Sequence, residues 1–488
     1  MLSHELSANQ IKEKIIKREI TTQEVVEELF EWINLKEPLI KAYLCLDKDG
    51  ALLKAKEVDK KLDNGGKVGL LAGVPVALKD NICTVGIKTT CASKILEDFI
   101  PPYDAFVVKR IKEEDAIIIG KTNLDEFAMG SSNENSAFHI TRNPWDTDYI
   151  PGGSGGGSAA AVTADTAFMA LGSDTGGSVR QPSAFCGNVG CKPTYGRVSR
   201  YGLVAFASSL DQIGSVTKDV YDAALLLQVV SGHDGFDSTS ATVGVPHYIS
   251  DINNVDGNLR IGVPKEFFGK GLNSEVGSAV MNALEVYKRN GAELVDLSLP
   301  HCGYAVATYY IIATAEASSN LARYDGVRYG HRSQLSEDNI IDMYSRVRAE
   351  GFGSEVKRRI LLGNYVLSSG FYEDYYLKAS KVRNLIRNDF EDAFKKVDCI
   401  ISPTCPTPAF RIGEKITDPL QMYLSDIYTI PANLVGIPGI SVPCGFTNTG
   451  LPIGMQILGK HFDEGKILKV AKLFENGTDF HLKKPELN

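Results

Sequence analysis

The chain has 488 residues, of which 43% are hydrophobic and 23% are charged, and this composition excludes a mainly disordered or fibrous protein. Its 60 acidic residues outnumber its 52 basic residues, so the formal net charge at pH 7 is −8. A negative surface repels phosphate groups, so we expect any nucleic acid that this protein serves to be held by another chain. Neither a membrane-spanning apolar run nor a signal peptide is evident, and we expect a cytoplasmic protein without membrane contact.

Residues 1–65 are predicted to form helices that pack on the rest of the protein. Ser7 and Thr21 each begin a capping box, with Gln10 and Glu24 as the partners three residues later. Each box precedes apolar residues at helical spacing, and the charged faces carry both signs. These patterns favour solvated helices over a membrane-binding segment.

From residue 66 onward, short apolar runs alternate with helical stretches, which predicts an α/β fold with a sheet covered by helices on both faces. We treat residues 66–488 as one catalytic domain with a largely helical insertion at about 300–380. The predicted strands lie at residues 74–78, 116–120, 167–171, 260–263, 399–401 and 439–442, and two of the predicted helices at 274–290 and 380–396.

The nine cysteines are few and odd in number, which argues against a disulfide framework. Cys186 and Cys191 lie close together, but no second pair of cysteines or histidines completes a zinc site. Cys405 is interpreted as a small buried hydrophobic residue rather than a nucleophile. We therefore expect no metal in this chain.

Two clusters of glycine and serine stand out, Pro151-Gly-Gly-Ser-Gly-Gly-Gly-Ser158 and Asp174-Thr-Gly-Gly-Ser-Val-Arg180. Such clusters usually mark positive φ angles or a close approach of the backbone to a ligand, although a pair of flexible turns is the plain alternative. Neither cluster has the spacing of a P-loop or of a dinucleotide-binding loop, so nucleotide binding is weakly supported.

The second cluster fits acyl transfer better, because it combines backbone donors with a nucleophile. The amides of Thr175, Gly176, Gly177 and Ser178 precede a predicted helix and are able to converge on an oxyanion. The hydroxyl of Ser178 would then lie beside those donors, where an acyl-enzyme nucleophile belongs.

Lys79 is the candidate base, since no histidine flanks the two clusters. It closes a predicted strand, and active sites of α/β proteins gather at the carboxyl ends of strands. A lysine base must be neutral, and lowering its pKa from ~10.4 to near 7 requires about 4–5 kcal/mol of burial or nearby positive potential. Ser154 would relay the proton between Lys79 and Ser178, as in known Ser–Lys variants of the triad.

Two short patterns offer alternatives. The Gly-x-Ser-x-Gly around Ser154 matches a nucleophile elbow, with His461 or His481 as base, but no clear strand precedes it. Ser215 and Lys218 match a Ser-x-x-Lys motif, but the Lys-Thr-Gly that should accompany it is absent from the sequence. We treat both as minor alternatives.

Three motifs together resemble the amidase signature family: Gly-x-Pro-x-x-x-Lys ending at Lys79, Pro-Gly-Gly-Ser ending at Ser154, and Gly-Ser-Asp-Thr-Gly-Gly-Ser ending at Ser178. The resemblance implies the amidase signature fold, with a large mixed β-sheet covered by helices on both faces. It also implies a triad of nucleophile Ser178, relay Ser154 after a cis peptide bond, and base Lys79, with an oxyanion hole from the amides of residues 175–178. Gly155 departs from the family pattern, since many relatives carry a second serine there.

Within the family, the chain closely resembles the glutamine-hydrolysing subunits of tRNA-dependent amidotransferases. That resemblance implies that Arg358 binds the α-carboxylate of glutamine and that Asp426 binds its α-ammonium group. Tyr309 and Ser131 are weaker candidates for substrate contacts. Arg358 has basic neighbours and is alternatively a solvated helix cation, and Asp426 is alternatively a helix cap.

The same resemblance implies a heterotrimer with B and C subunits, in which tRNA is contacted mainly through the partner. ATP and Mg²⁺, and possibly Zn²⁺, would belong to the B subunit, with no cofactor in this chain. The acceptor would be Glu-tRNA(Gln) or Asp-tRNA(Asn). The alternatives are a free-standing amidase of small carboxamides and a non-catalytic scaffold subunit. Asp174 and Arg180 are interpreted as a structural ion pair.

Overall fold

Eleven strands form one mixed β-sheet in the computed structural model, which describes residues 3–254, 259–334 and 339–487. In chain order they are β1 (Tyr43–Leu46), β2 (Pro75–Lys79), β3 (Ile117–Thr122), β4 (Met169–Asp174), β5 (Val189–Lys192), β6 (Gln212–Thr217), β7 (Arg260–Pro264), β8 (Glu293–Leu297), β9 (Cys399–Pro403), β10 (Gly439–Phe446) and β11 (Pro452–Leu458). Across the sheet the order is β1-β3-β2-β4-β6-β5-β10-β11-β9-β7-β8. The strands are parallel within β3-β2-β4 and β9-β7-β8 and antiparallel at the other pairings. The predicted mixed sheet is confirmed.

Helices surround this sheet. They are α1 (Ala8–Ile16), α2 (Thr22–Ile40), α3 (Lys48–Asp63), α4 (Phe106–Glu113), α5 (Gly156–Thr163), α6 (Arg180–Cys186), α7 (Val220–Val230), α8 (Tyr248–Asp251), α9 (Ser274–Arg289), α10 (Ala305–Asn320), α11 (Ile340–Gly351), α12 (Ser354–Leu367), α13 (Lys378–Ala393), α14 (Pro419–Tyr423), α15 (Ile430–Val435) and α16 (Glu464–Asn476). Helices α9 and α13 confirm the two predicted helices to within a few residues.

Both predicted capping boxes are formed at the N-terminal helices. The side chains of Ser7 and Thr21 accept the amides of Gln10 and Glu24, whose side chains accept the amides of Ser7 and Thr21 in return. The apolar faces of α1 and α2 join the hydrophobic cluster that also contains strands β2 and β3. The division of the chain into segments 1–65 and 66–488 stays a prediction.

A second hydrophobic cluster lies under α10, α12 and α13. In the described part of residues 300–380 the chain forms helices and no strand, and residues 335–338 lie outside the described ranges. This layer matters for the site because α10 carries Tyr309 and α12 carries Arg358.

The cysteines and the helices bear on two further expectations. All nine cysteines are free thiols, and Cys405 is buried. Within the three described ranges, no cluster of metal-binding side chains was found, and no helix combines the length and apolar character that a bilayer span requires.

Candidate active site

Lys79 is the last residue of β2, and its side chain is completely buried. Its Nζ lies 2.8 Å from Ser154 Oγ, 3.0 Å from Ser173 Oγ and 3.1 Å from the Ser173 carbonyl oxygen. Burial lowers the pKa of Lys79 to about 7, against the opposing effect of nearby carboxylates. A neutral amine therefore exists near pH 7 at hydrogen-bond distance from the predicted relay serine.

The loop that carries Ser154 has an unusual backbone. The peptide bond between Gly153 and Ser154 is cis, as the family resemblance implied. The Gly153 amide donates to Gln181 Oε1 at 2.9 Å, and the Ser154 carbonyl accepts the Asp125 amide at 3.2 Å. A Cβ at Gly155 would come within 2.5 Å of the Ser178 carbonyl oxygen. Glycine at position 155 thus lets this loop lie directly against the segment that carries Ser178.

Ser178 lies in the loop between β4 and α6, and it is slightly exposed (7%), whereas Lys79 and Ser154 are at 0%. Within the described chain its hydroxyl has no hydrogen-bond partner, and none joins it to Ser154. The backbone N–H groups of residues 175–178 likewise donate to no other described residue. Because buried unpaired amides are rare, this row of donors beside a free hydroxyl is suited to an oxyanion.

Thr429 and Tyr309 shape the loop at residues 175–178. The Thr429 hydroxyl donates to the Gly176 carbonyl oxygen at 2.6 Å, which holds the peptide unit that carries the Gly177 N–H. Gly177 has φ +142°, and a Cβ there would clash with Thr429. A Cβ at Gly176 would come within 2.8 Å of Tyr309 Cζ. Tyr309, a predicted substrate contact, therefore packs against the loop itself.

The predicted ion pair between Asp174 and Arg180 is confirmed, with Arg180 Nε 3.1 Å from Asp174 Oδ2 and both side chains completely buried. Asn433 bridges the pair, since its Nδ2 donates to Asp174 Oδ1 at 2.8 Å and its Oδ1 accepts from Arg180 at 2.6 Å. Burial alone would raise the pKa of Asp174, but the Arg180 guanidinium outweighs it and the pKa falls to about 2. Asp174 thus stays ionised below the loop.

Two more buried acids lie close to the site, and sequence reasoning did not single them out. Asp125 accepts the amides of Asn133 at 2.9 Å and Asn135 at 3.0 Å, and Asp211 accepts the Thr175 hydroxyl at 2.7 Å. Burial raises the pKa of each to about 6. No local motif marks either residue.

Ser131 and Asp426, two of the predicted substrate contacts, lie together. The Ser131 hydroxyl donates to Asp426 Oδ2, while Asp426 Oδ1 is buried without a partner among the described residues. Burial raises the pKa of Asp426 to about 7. Ser131 sits between Gly130 and Ser132, which both line a cavity of about 300 Å³. An ammonium group would satisfy the free oxygen of Asp426.

Arg358 lines the same cavity, but its neighbour Arg359 is better placed to face a ligand. The Arg358 side chain is 45% exposed and pairs with Glu355, whereas Arg359 is 3% exposed. Arg359 donates through Nε to Glu355 Oε1 at 2.8 Å, and its two amino groups make no hydrogen bond to a described residue. Arg358 stays a prediction, and Arg359 is a second candidate that the sequence analysis did not name.

A signal for Arg359 was present in the sequence. Helix α12 buries Val356, Arg359, Ile360 and Gly363, which have the spacing of one helix face. Arg359 falls on this inward stripe and Arg358 does not. Applying helical periodicity to the basic triplet would therefore have favoured Arg359.

The two minor patterns find no support. Lys218 Nζ donates to the backbone of His4 and Leu6 and pairs with Asp165 rather than contacting Ser215. Across the described residues, neither His461 nor His481 hydrogen-bonds to Ser154, and no strand lies between β3 and the serine.

Comparisons with known proteins identify the family of the chain. The Amidase family model matches residues 24–468. The chain is 59% identical over 482 residues to the A subunit of glutamyl-tRNA(Gln) amidotransferase of Carboxydothermus hydrogenoformans, covering 99% of each. The crystal structure of the corresponding glutamyl-tRNA(Gln) amidotransferase protein from Thermotoga maritima superposes with a TM-score of 0.82 at 43% identity, covering 100% of this chain and 98% of that one. The structure of 6-aminohexanoate cyclic dimer hydrolase gives a TM-score of 0.86 at 27% identity, covering 99% of both. The chain belongs to the amidase signature family.

Proposed function

We propose that this chain is the glutamine-hydrolysing subunit of a tRNA-dependent amidotransferase. One observation carries the proposal: a buried amine with a pKa of about 7 lies 2.8 Å from the Ser154 hydroxyl, beside a loop of unpaired backbone donors. This arrangement suits acyl transfer from an amide. The names of the close relatives support glutamine as the amide and a tRNA-dependent complex as the setting.

In acylation, neutral Lys79 takes the proton of Ser154 while Ser154 takes that of Ser178. This relay requires the Ser178 hydroxyl to turn toward Ser154. Ser178 Oγ then forms a bond to the side-chain carboxamide carbon of glutamine, and the amides of Thr175, Gly176, Gly177 and Ser178 bind the oxyanion. Collapse breaks the C–N bond, and the proton returns through Ser154 to the leaving nitrogen, which departs as ammonia.

In deacylation, water replaces ammonia. Lys79, through Ser154, accepts a proton from the water as its oxygen bonds to the acyl carbon. The same backbone donors bind the second oxyanion. When the bond to Ser178 breaks, glutamate leaves and the serine hydroxyl is restored, so no external cofactor enters the hydrolysis.

Arginines on the cavity wall, together with Asp426 beside Ser131, would hold the two ends of the amino acid. We assign the α-carboxylate to the free amino groups of Arg359, with Arg358 as a second cation on the same wall. We assign the α-ammonium group to Asp426, whose Oδ1 lacks a partner among the described residues, with Ser131 orienting that carboxylate. Tyr309 would line the substrate from its position on Gly176.

The ammonia would pass to a B subunit that activates the misacylated amino acid, in a cytoplasmic heterotrimer with B and C subunits. That partner would hold ATP, Mg²⁺ and any Zn²⁺, and it would contact the tRNA. The negative net charge of this chain, −8, suits such a division of labour. Either Glu-tRNA(Gln) or Asp-tRNA(Asn) would be the acceptor, and the relatives' names favour the first.

The test is ammonia release from glutamine by the assembled complex. Ser178→Ala is expected to lower the rate at least ~10³-fold, because it removes the nucleophile. Ser215→Ala is the matched control, since the Ser215 hydroxyl is buried, has no partner among the described residues and belongs to the rejected motif. Wild-type rates with Ser178→Ala would end the proposal.

Two further measurements address the alternatives. Efficient hydrolysis of small uncharged amides by the isolated chain would favour a free-standing amidase. Failure of a sulfonyl fluoride to label Ser178 in the complex would favour a non-catalytic scaffold.

A further inference from the structure

Glu355 is a buried carboxylate in the first turn of α12 that receives three hydrogen-bond donors. Arg359 Nε donates to Oε1 at 2.8 Å, the Tyr423 hydroxyl donates to Oε1 at 2.9 Å, and Arg358 donates to Oε2. Glu355, Arg358, Arg359 and Tyr423 all line the 300 Å³ cavity. No step of the hydrolysis described above uses this carboxylate.

The contacts of Glu355 fix the orientation of the Arg359 guanidinium. Its Cζ lies 5.1 Å from the ring centre of Tyr310 and 5.5 Å from that of Tyr423, so the aromatic rings limit its tilt. The hydrogen bond from Nε then sets its rotation. Both amino groups are left without a partner in the described chain, as a fork that matches a carboxylate.

Aromatic contacts link this cation to the catalytic loop. The rings of Tyr423 and Tyr310 stack with centres 3.9 Å apart, and Tyr310 meets Tyr309 edge-on at 5.1 Å. Tyr309 packs on Gly176. The position of the Arg359 fork is therefore defined relative to the oxyanion donors.

We propose that Glu355 is a positioning residue that sets the preference of this site for amides bearing an α-carboxylate. It acts by orienting Arg359, and it does not touch the reacting atoms. The inference rests on the proposed function, because it takes glutamine as the substrate. Glu355 forms ion pairs with two arginines. Loss of its carboxylate would free Arg359 to rotate and would weaken carboxylate binding without removing any catalytic group.

The experiment compares glutamine with its α-N-methylamide, which keeps the side-chain carboxamide and lacks the carboxylate. Ammonia release is measured in the assembled complex. The readout is the ratio of kcat/KM for glutamine to kcat/KM for the α-N-methylamide. Glu355→Gln is expected to lower this ratio about 10-fold, through a higher KM for glutamine, with kcat changed less than about 3-fold. Glu355→Asp, which keeps the charge, is expected to restore part of the ratio.

Glu350→Gln is the matched control. Glu350 lies on the neighbouring helix α11 and forms an exposed ion pair with His331. This variant should leave the ratio at the wild-type value. If Glu355→Gln does not fold, Tyr423→Phe keeps the ring stack, removes one donor to Glu355, and should lower the ratio roughly 2- to 3-fold. An unchanged ratio, or equal loss for both substrates, in the variant that folds would overturn the proposal. A wild-type complex that is inactive on glutamine would instead refute the proposed function.

Discussion

Replacing Lys79 with methionine should abolish glutamine hydrolysis and, at the same time, change how stability depends on pH. The pKa of Lys79 drops from its ordinary 10.5 to about 7 because the side chain is buried. Between these values the unfolded chain binds a proton that the folded chain does not. The wild type therefore loses stability as pH falls through this window, and below about 7 the loss levels off.

The magnitude follows from the shift. Each pKa unit corresponds to about 1.4 kcal/mol, so between pH 9 and pH 7 the wild type should lose about 2 kcal/mol that Lys79→Met does not lose. The variant also gives up contacts with Ser154 and Ser173, at roughly 1 kcal/mol for each hydrogen bond. That cost does not depend on pH. The pH dependence of the difference in free energy of unfolding between wild type and variant therefore reports on the buried amine alone.

The assay is urea unfolding of wild type and variant, side by side, at pH values from 7 to 9. Ser178→Ala is the control, since it is equally inactive but keeps Lys79, and its free energy of unfolding should run parallel to the wild type. The free energy of unfolding is compared between wild type and Lys79→Met at each pH. If the difference varies by less than about 0.5 kcal/mol over this range, the amine is not held neutral by burial. The role of general base assigned to Lys79 would then have no physical basis.

Three other predictions concern the rate. The kcat/KM of the wild-type complex for glutamine should fall up to about tenfold per unit as pH drops below about 7, because Lys79 is then protonated. Gly177→Ala should lower kcat at least ~10²-fold by driving a Cβ into Thr429 and displacing oxyanion donors. Gly232→Ala, at a similar φ of +144° with open space around it, should keep the wild-type rate. Arg359→Gln should raise the KM for glutamine at least ~10-fold with a smaller change in kcat, as measured by ammonia release, and an unchanged KM would exclude the assigned carboxylate contact.

Local sequence rules predicted the elements whose stabilising interactions join residues close together in the sequence. The capping boxes at Ser7 and Thr21 involve partners three residues away, so no tertiary information is needed. Strands β1, β5, β6, β8 and β11 were missed; in β6 and β8, for example, polar residues interrupt the apolar run by which the other strands were found. The position of β1 at one edge of the sheet is set by its pairing with β3, which is distant in sequence.

The residues of the site also fall into two groups, those that a local sequence pattern marks and those that none marks. Lys79, Ser154 and Ser178 were accessible because glycine clusters and a strand end mark them in the sequence. Asp211 and Thr429 were not, since each contacts the loop at residues 175–178 from a separate segment of the chain. Proximity of this kind depends on the packed fold, which a single sequence does not display.

Burial holds the pKa of Lys79 near 7 although three buried acids oppose it. Asp125, Asp174 and Asp211 all raise its pKa, and three fully available negative charges would oppose the effect of burial strongly. Arg180 pairs with Asp174 and offsets part of that charge, while Asp125 and Asp211, whose pKa values burial raises to about 6, lose their charge only below pH 7. Arg180 thus affects the base indirectly, because the ion pair that steadies the loop also offsets part of the Asp174 charge that raises the pKa of Lys79.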